Sequence, residues 1–208
     1  MLSAGHETAS TALSWACYAL TQPGHGQEVQ RRLRAELLSR PTAWQDGPAS
    51  LDSLPYLAAV CRETLRLHSP IRGLRRLVPH DDVLPLAYPI RLADGSEVKQ
   101  VLVKKGSVLF FSLIALNTDD AVWGDGLTFR PERWLDESHE HFQPGQPRPP
   151  EVNGTWSALT SFGLGPTSCI GVRIALMEIK AGLAAMISHF ELLPPQLSGE
   201  HAVVVDCE

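Results

Sequence analysis

Cys169 is the residue whose setting in this sequence most favours chemistry. It lies in the stretch SFGLGPTSCIGVRIALMEIK (residues 161–180), with Gly163 and Gly165 before it and Gly171 directly ahead of a helix-like pattern. A thiol near a helix N-terminus lies in the positive end of the helix dipole, which favours the thiolate. Glycines permit tight turns and the close approach of a flat or bulky group. The segment predicts a soft metal ligand or, as the alternative, a buried cysteine that packs as a small hydrophobic residue.

The other cysteines and histidines offer no partner for a metal at this position. The four cysteines are widely spaced and include no C-x-x-C pair, which argues against a zinc knuckle. His6, His68 and His80 do not occur at a spacing that would replace the cysteine as a ligand. A metal held by one protein thiolate needs a prosthetic group to supply its remaining ligands, and haem is a group that does this.

Four motifs, in order, resemble those of the cytochrome P450 monooxygenases. F-G-x-G-P-x-x-C-x-G at 162–171, followed by A-x-x-E at 175–178, resembles the haem-thiolate loop of that family. A-G-H-E-T at 4–8 resembles its oxygen-activation motif, E-T-L-R at 63–66 its E-x-x-R motif, and F-R-P-E-R-W at 129–134 its P-E-R motif. Each motif is short, but their order makes the match strong. The resemblance extends over nearly the whole chain and is closest to the eukaryotic microsomal branch.

The resemblance implies a role for individual residues. Cys169 would be the metal-binding residue, the axial thiolate ligand of the iron of haem b. Glu7 and Thr8 would be catalytic, because the hydroxyl steadies the oxygen and the carboxylate feeds protons as a general acid. The cofactor-binding residues that the resemblance implies are Cys169, Phe162, Gly163, Gly165, Gly171 and Arg76.

The assignment of Arg76 depends on the register of a strand. Haem propionates are anionic and usually meet arginine or histidine. Alignment of RRLVPHDDVLP (residues 75–85) with the family's strand after E-x-x-R implies Arg76, and Arg75 is the alternative because side chains alternate along a strand. Thr167 departs from the family, which usually has arginine two residues before the cysteine. One propionate contact is therefore expected to be missing.

Glu63 and Arg66 are predicted to brace the cysteine loop. Residues three apart share one face of a helix. The resemblance adds Arg133 as a third partner, so that a Glu–Arg–Arg cluster would lock the irregular loop before the cysteine onto this helix. The alternative is an ordinary surface pair that stabilises the helix by a few tenths of a kcal/mol, on the order of 0.2–0.5.

Periodicity predicts a mainly α-helical domain with a small β region. We expect helices over residues 2–20 and 26–39, a third with Ser53 as its N-cap, and a last helix from near Ile170. Strand-like runs flank the turn ADGSE, and the apolar run SVLFFSLIAL is of uncertain type. The stretch 136–160 is predicted to be a long irregular loop.

Three arginines in the second predicted helix allow two interpretations. Arg31, Arg32 and Arg34 lie mostly off the apolar stripe of that helix. They are expected to form a solvated face, and the alternative is a docking patch for an acidic partner.

Composition and length narrow the class of protein. The chain has 208 residues, of which 44% are hydrophobic, and a net charge of -5. This net negative charge does not indicate a nucleic-acid-binding protein. No run of about 18 apolar residues occurs, so no membrane segment is expected. The cysteines are expected to be reduced in an intracellular compartment.

The resemblance implies that residues 1–208 form a single partial domain. This domain is expected to be the C-terminal half of the cytochrome P450 fold, truncated at the N-terminus. It would extend from the end of the central helix to the haem-thiolate loop and the last helix. Longer relatives are expected at the endoplasmic-reticulum membrane, and the anchor is expected to be absent from this chain.

Two functions follow from the resemblance. The first is an oxidoreductase, a haem-dependent monooxygenase that inserts one oxygen atom from O2 into a small organic substrate and takes electrons from an NADPH-dependent reductase. The alternative is a truncated, non-catalytic fragment of such an enzyme that cannot enclose haem.

Overall fold

The computed structural model describes residues 2–43, 46–146, 149 and 159–194. Seven α-helices and four β-strands are found in these ranges. The helices are α1 (Leu2–Thr21), α2 (His25–Ser39), α3 (Pro48–Asp52), α4 (Pro55–Leu67), α5 (Leu113–Thr118), α6 (Asp120–Trp123) and α7 (Val172–His189). The strands are β1 (Gly73–Leu77), β2 (Asp82–Arg91), β3 (Glu97–Val103) and β4 (Val108–Ser112). Two 3₁₀ helices lie at Pro131–Trp134 and Gly165–Thr167. The prediction of a mainly helical fold with a small β region is confirmed.

Helix α4 is the centre of the hydrophobic core and packs against α1, α2 and α7. Leu57, Val60, Cys61 and Leu65 recur every three or four residues and are almost completely buried. This spacing places them on one stripe of the helix. Because α4 also carries Glu63 and Arg66, the core fixes the position of the predicted brace.

Helices α1 and α7 approach each other closely because small residues line their contact. Ala9, Ala12 and Ala16 are buried on α1. On α7, a Cβ added at Gly182 would lie 3.0 Å from a methyl group of Leu13, so a side chain there would require Leu13 to shift. The contact matters for function, since α1 carries the A-G-H-E-T motif and α7 follows the cysteine.

The predicted N-cap of α4, Ser53, is wrong. Its hydroxyl donates to the carbonyl of Ser50, in the turn that ends α3, at 2.7 Å. The backbone amides of Tyr56 and Leu57, in the first turn of α4, instead donate to the carboxylate of Glu36 on α2. Both hydrogen bonds are 2.8 Å long. A carboxylate satisfies two of the amides that every helix N-terminus leaves free. Burial raises the pKa of Glu36 more than these hydrogen bonds lower it.

The four strands form two separate antiparallel pairs. β1 pairs with β4, and β2 pairs with β3 around the predicted ADGSE turn, with a register shift in β2 between Pro85 and Ile90. The run SVLFFSLIAL divides at Ser112 into the end of β4 and the start of α5. The Ser112 hydroxyl accepts a hydrogen bond from the amide of Ala115 at 3.1 Å, which is an N-cap contact.

The arginines of α2 are only partly a solvated face. Arg31 is 70% exposed and pairs with Glu28 on its own helix. Arg32 bridges two carboxylates. Its Nε lies 2.9 Å from Oε1 of Glu28, and its Nη1 lies 2.9 Å from Oε1 of the buried Glu132. A guanidinium N–H of Arg34 donates to the carbonyl of Phe190 at 3.0 Å. Two of the three arginines therefore tie α2 to distant parts of the chain.

The predicted loop 136–160 is described over 136–146, where it contains turns only, and at 149, 159 and 160; the rest lies outside the described residues. The last helix begins at Val172, two residues after the predicted start. Among the described residues, no helix combines the length and the apolar character needed to cross a membrane.

Candidate functional site

The loop that carries Cys169 is a compact turn shaped by two glycines. Gly163 and Gly165 have φ angles of 71° and 67°, which lie in the left-handed region that side-chain-bearing residues rarely adopt. The amide of Cys169 donates to the carbonyl of Phe162 at 2.8 Å and closes the turn. The Cys169 side chain is exposed, so the interpretation as a buried packing residue does not hold.

Cys169 and Thr8 face the same space. They line a cavity of about 200 Å³ whose walls include Leu65, Ile71 and Leu74. They also line a neighbouring cavity of about 600 Å³, whose walls include Ile174. Together these cavities form an apolar slot between α1, β1 and the cysteine turn. The slot brings together two motifs that lie at opposite ends of the sequence.

Because the turn has glycine at three positions, no Cβ projects from its backbone there. A Cβ added at Gly165 would meet no atom within 4 Å, so this position is open. A Cβ added at Gly163 would lie 3.8 Å from a methyl group of Leu74, and one at Gly171 would lie 3.8 Å from Sγ of Cys169. Phe162 packs against the hydrophobic core and lines the smaller cavity. Phe162, Gly163 and Gly171 therefore line the cavities beside the thiol, whereas Gly165 lines neither cavity.

Glu7 and Thr8 have different surroundings, although they are neighbours in the A-G-H-E-T motif. Thr8 is half-buried, lines both cavities, and donates its hydroxyl proton to the carbonyl of Ala4 at 2.7 Å. Glu7 is exposed and lies outside the lining of both cavities. Successive residues on a helix point about 100° apart, which separates the two side chains. The structure brings Thr8 to the slot and leaves Glu7 at the solvent.

The register of β1 distinguishes Arg76 from Arg75. Leu74 lines the slot, and side chains two residues apart lie on the same face of a strand. Arg76 therefore faces the cysteine turn, where its Nη2 donates to Oγ1 of Thr167 at 2.9 Å. Arg75 lies on the opposite face of the strand. This geometry favours Arg76 as the cation at the rim of the slot.

The predicted brace is a fully buried cluster centred on Glu63. The side chains of Glu63, Arg66 and Arg133 have no exposed surface. Arg66 binds both carboxylate oxygens of Glu63, at 2.8 and 3.0 Å, and Nε of Arg133 lies 3.1 Å from Oε1. The same carboxylate accepts the amide of Arg130 and the indole N–H of Trp134, each at 2.8 Å. The interpretation as a surface pair does not hold.

Asp125 is a member of the cluster that the sequence analysis missed. Its Oδ1 lies 2.7 Å from Nη2 of Arg133, and its Oδ2 lies 2.9 Å from Nε of Arg130. Burial acts to raise the pKa of Asp125, but the hydrogen bonds and charges of the two arginines outweigh burial and hold the pKa below its ordinary value. Asp125 lies in WGDGLTF, where an acidic residue between two glycines was the available signal.

Gly126 in the same segment has no room for a side chain. A Cβ added there would lie 2.0 Å from the carbonyl oxygen of Thr118. Its own carbonyl accepts a hydrogen bond from Nη1 of Arg66. The close approach of two backbones at Gly126 therefore lets the loop reach Arg66.

A second buried polar network, which the sequence analysis also missed, anchors the start of the cysteine turn. The side-chain NH2 group of Asn117 donates to the hydroxyl of Ser161 at 3.1 Å. That hydroxyl in turn donates to the backbone carbonyl of Leu65 on α4 at 2.7 Å. The side-chain oxygen Oδ1 of Asn117 accepts a hydrogen bond from the hydroxyl of Thr160 at 3.0 Å. A polar Asn117 directly after an apolar run was the only sequence signal for this contact.

The side chains around the slot fit a haem-type cofactor. The thiol of Cys169 is a soft metal donor that reaches an apolar slot, and the open position at Gly165 allows a flat group to approach the backbone. Arg76 places a cation at the rim, where an anionic edge of such a group would be stabilised. Within the described residues, His, Cys, Asp and Glu form no group of three or more that could hold a metal ion by themselves.

Comparisons with known proteins identify the family of the chain. The family described as "Cytochrome P450" matches residues 1–203. Cytochrome P450 monooxygenase 205 of Postia placenta is 40% identical over 203 residues, covering 94% of this chain and 34% of that protein. Cytochrome P450 monooxygenase 128 of the same organism is 40% identical over 193 residues, covering 91% and 33%. Cytochrome P450 monooxygenase claQ of Ampulloclitocybe clavipes is 38% identical over 192 residues, covering 91% and 34%.

The chain thus combines a helical body, two small antiparallel sheets and a buried Glu–Arg–Arg cluster with an exposed cysteine on a tight turn. The chain belongs to the cytochrome P450 family, as the order of its motifs predicted. It spans about a third of the length of the curated relatives it matches.

Proposed function

We propose that this chain carries the haem-thiolate site of a monooxygenase that acts on a small organic substrate. One oxygen atom of O2 would enter the substrate and the other would leave as water, with electrons supplied by an NADPH-dependent reductase. The observation that supports the proposal most is that Cys169 and Thr8, from opposite ends of the chain, line the same two cavities.

Cys169 would hold the iron of haem b through its Sγ. When bound, haem supplies the redox chemistry with O2, which protein side chains cannot provide. As its ligand, the Cys169 thiolate would make that group more electron-rich. The turn closed by the Cys169 amide and the two left-handed glycines would hold the sulfur at the slot.

Thr8 and Glu7 would divide the handling of protons between them. The hydroxyl of Thr8 lies inside the slot and can hold a proton or a water at Oγ1, after exchanging its bond to Ala4. Glu7 is exposed and can exchange protons with the solvent. The pair would thus connect the bulk solvent to the slot, with the carboxylate as general acid.

The Glu63–Arg66–Arg133 cluster would act through position and not through contact with the reacting atoms. It joins α4 to the segment around the 3₁₀ helix Pro131–Trp134. Asn117 and Ser161 join the same helix to the start of the cysteine turn. These two networks would keep the thiol at a fixed distance from α1.

The proposal is tested by adding haemin to the purified 208-residue chain and recording the spectrum of the reduced, CO-bound form. We expect the red-shifted Soret band of a thiolate-ligated haem. A chain that takes up haemin without that band would contradict the assignment of Cys169.

One observation favours the alternative, a non-catalytic fragment that does not enclose haem. Ile170, directly after the cysteine, is 90% exposed, and Ile174 on the wall of the larger cavity is 53% exposed. Such exposed apolar groups leave part of the slot open to water. A colourless preparation after removal of excess haemin would support this alternative, and steady product formation with a reductase would exclude it.

A further inference from the structure

A separate cavity lies beside α1, outside the slot. Its volume is about 580 Å³, within the range of about 300–1,000 Å³ that is usual for small-molecule sites. Of the described residues that line it, Pro70 alone also lines the smaller cavity of the slot, and none lines the larger one. Cys169 and Thr8 are not among them. The proposed function therefore makes no use of this space.

Aromatic side chains on one stripe of α1 form a wall of this cavity. Trp15 and Tyr18 are three residues apart, which places them on the same face of the helix. The ring of Trp15 stacks on that of His68 with centroids 4.3 Å apart, and the ring of Tyr18 meets Trp15 edge-on at 5.5 Å. Leu127 and Phe129 line the same space. A flat aromatic ring packs favourably against such a wall, because the edge of one ring attracts the face of another.

Arg72 brings a positive charge to the cavity. It is exposed, and among the described lining residues it is the only arginine or lysine, while no aspartate or glutamate lines the cavity. None of the ion pairs among the described residues involves Arg72. The planar guanidinium offers five N–H donors in a fork that matches the two oxygens of a carboxylate. A cation in this setting is suited to bind an organic anion.

The backbone that carries Arg72 is held in place from both sides. Its carbonyl accepts the backbone amides of Leu113 and Ile114, at the start of α5, at 3.0 and 3.4 Å. The turn before it is closed by the hydroxyl of Ser69, which donates to the carbonyl of Ile71 at 2.9 Å. The base of the Arg72 side chain is therefore fixed between the end of α4 and the start of α5.

His68 contributes a polar group that is neutral at neutral pH. Burial, together with the charge of Arg66, lowers its pKa from 6.5 to about 4. A neutral imidazole has one nitrogen that donates a hydrogen bond and one that accepts. His68 thus adds aromatic surface beside Trp15 without adding a charge, and it leaves the recognition of an anion to Arg72.

We propose that this cavity binds an aromatic carboxylate. The ring of the ligand packs against Trp15 and Tyr18, and its carboxylate accepts hydrogen bonds from the guanidinium of Arg72. The inference goes beyond the proposed function and does not depend on it, because neither Cys169 nor Thr8 lines this cavity.

Calorimetric titration of 2-naphthoate into the 208-residue chain, with no haemin added, tests the recognition of the charge. The comparison ligand is 2-naphthalenemethanol, which has the same ring and no charge. We expect the wild type to bind the carboxylate about tenfold more tightly than the alcohol, a difference that corresponds to about 1.4 kcal/mol. Arg72→Gln should weaken binding of the carboxylate about tenfold and leave binding of the alcohol within about twofold of the wild type. Arg75→Gln is the matched control, because Arg75 is exposed and does not line the cavity.

Tyr18→Ala tests the aromatic wall with the same two ligands. Tyr18 is 37% exposed, so the fold should tolerate its loss. The variant should weaken both ligands to the same extent, because both present the same ring to the wall. Tyr88→Ala, at an 83%-exposed position on β2, is the matched control and should bind both ligands as the wild type does.

The outcomes separate this inference from the proposed function. The inference is overturned if the wild type shows no saturable binding of 2-naphthoate at millimolar concentration, or if Arg72→Gln leaves its affinity unchanged. Equal weakening by Arg72→Gln and Arg75→Gln, or an equal effect of Arg72→Gln on the acid and the alcohol, would overturn it as well. The spectrum of the haem-loaded chain has no part in these measurements, so either the inference or the proposed function can fail while the other stands.

Discussion

At the scale of single residues, the described cysteines differ in environment. Cys169 is exposed at the slot, whereas Cys61 is buried in α4. Burial raises the pKa of the Cys61 thiol to about 12, which keeps it protonated at neutral pH. Burial also raises the pKa of Cys17, on α1, and a backbone hydrogen bond offsets part of that effect. The exposed Cys169 is thus the thiol of these three that a ligand in the slot can reach.

Cys169→Ser should abolish the thiolate-type Soret band of the reduced, CO-bound chain. A serine hydroxyl is a poor axial donor at neutral pH and cannot supply the electron density of a thiolate. Cys17→Ser is the control, because that thiol does not line the slot. An unchanged band in the Cys169→Ser spectrum would show that another residue binds the iron.

His68 is expected to make stability depend on pH. Its ring stacks on Trp15 with centroids 4.3 Å apart, and burial, together with the charge of Arg66, lowers its pKa from 6.5 to about 4. Between these two values the unfolded chain binds a proton that the folded chain does not. The contribution of His68 is therefore fully present above pH 6.5 and is lost as the pH falls toward 4.

Replacing His68 should flatten this pH dependence. His68→Phe keeps an aromatic ring against Trp15 and removes the titrating group, so the free energy of unfolding should vary less between pH 4 and 6.5 than in the wild type. Urea unfolding across that range measures the effect. His80→Phe, at an exposed site, is the control and should keep the wild-type slope. A variant slope equal to that of the wild type would exclude His68 as the source.

At the scale of elements, α4 connects the core to the cysteine turn. One face of the helix packs in the hydrophobic core, and Glu63 and Arg66 bind the loops that follow β4. Arg66 donates to the carbonyls of Asn117 and Thr128, and its guanidinium lies 5.1 Å from the ring centroid of Trp123. Because each hydrogen-bonding group of the cluster has partners, the burial of its charges is compensated.

Arg133→Ala should destabilise the fold far more than removal of an exposed arginine. Loss of one partner from a buried ion pair costs about 3–5 kcal/mol, and here Glu63 and Asp125 would each lose one of their two cationic partners. Arg31→Ala is the matched control, since Arg31 is 70% exposed and such pairs contribute about 0–1 kcal/mol. The free energies of unfolding are compared in urea. Equal losses for the two variants would contradict a buried brace.

At the scale of the whole molecule, the outer face of the β1–β4 pair is apolar and exposed. Leu77 pairs with Val108, and Phe110 lies two residues further along β4 on the same face. Their side chains are 69%, 62% and 61% exposed. The opposite face carries Leu74 and faces the slot. Arg75 pairs with Phe110 on the same outer face, so the exposed apolar side chains lie beside one charged residue. Exposed apolar side chains grouped on one face favour association.

The 208-residue chain should therefore self-associate as its concentration rises. Phe110→Ser should shift the equilibrium toward the monomer, which sedimentation velocity over a range of concentrations can measure. Leu38→Ser, at a 55%-exposed position on α2 away from this face, should leave association unchanged. A wild-type chain that stays monomeric throughout would show that the exposed face does not drive association.

The sequence by itself determined the features that depend on short segments. The glycines, the cysteine and the following helix lie within one stretch, so local rules for turns and helices were sufficient to predict the turn at Cys169. Glu63 and Arg66 share a helix face through their spacing alone. The order of the motifs then identified the family.

The tertiary structure decided which distant side chains meet. The register of β1 against β4 turned Arg76, and not Arg75, toward Thr167. The packing of α2 beside α4 made the Glu36 carboxylate supply the capping contacts that Ser53 was expected to make. The rotation of α1 placed Thr8 in the slot and left Glu7 at the solvent. Spacing along the chain carries no information about these contacts, because each depends on how two separately formed elements pack against each other.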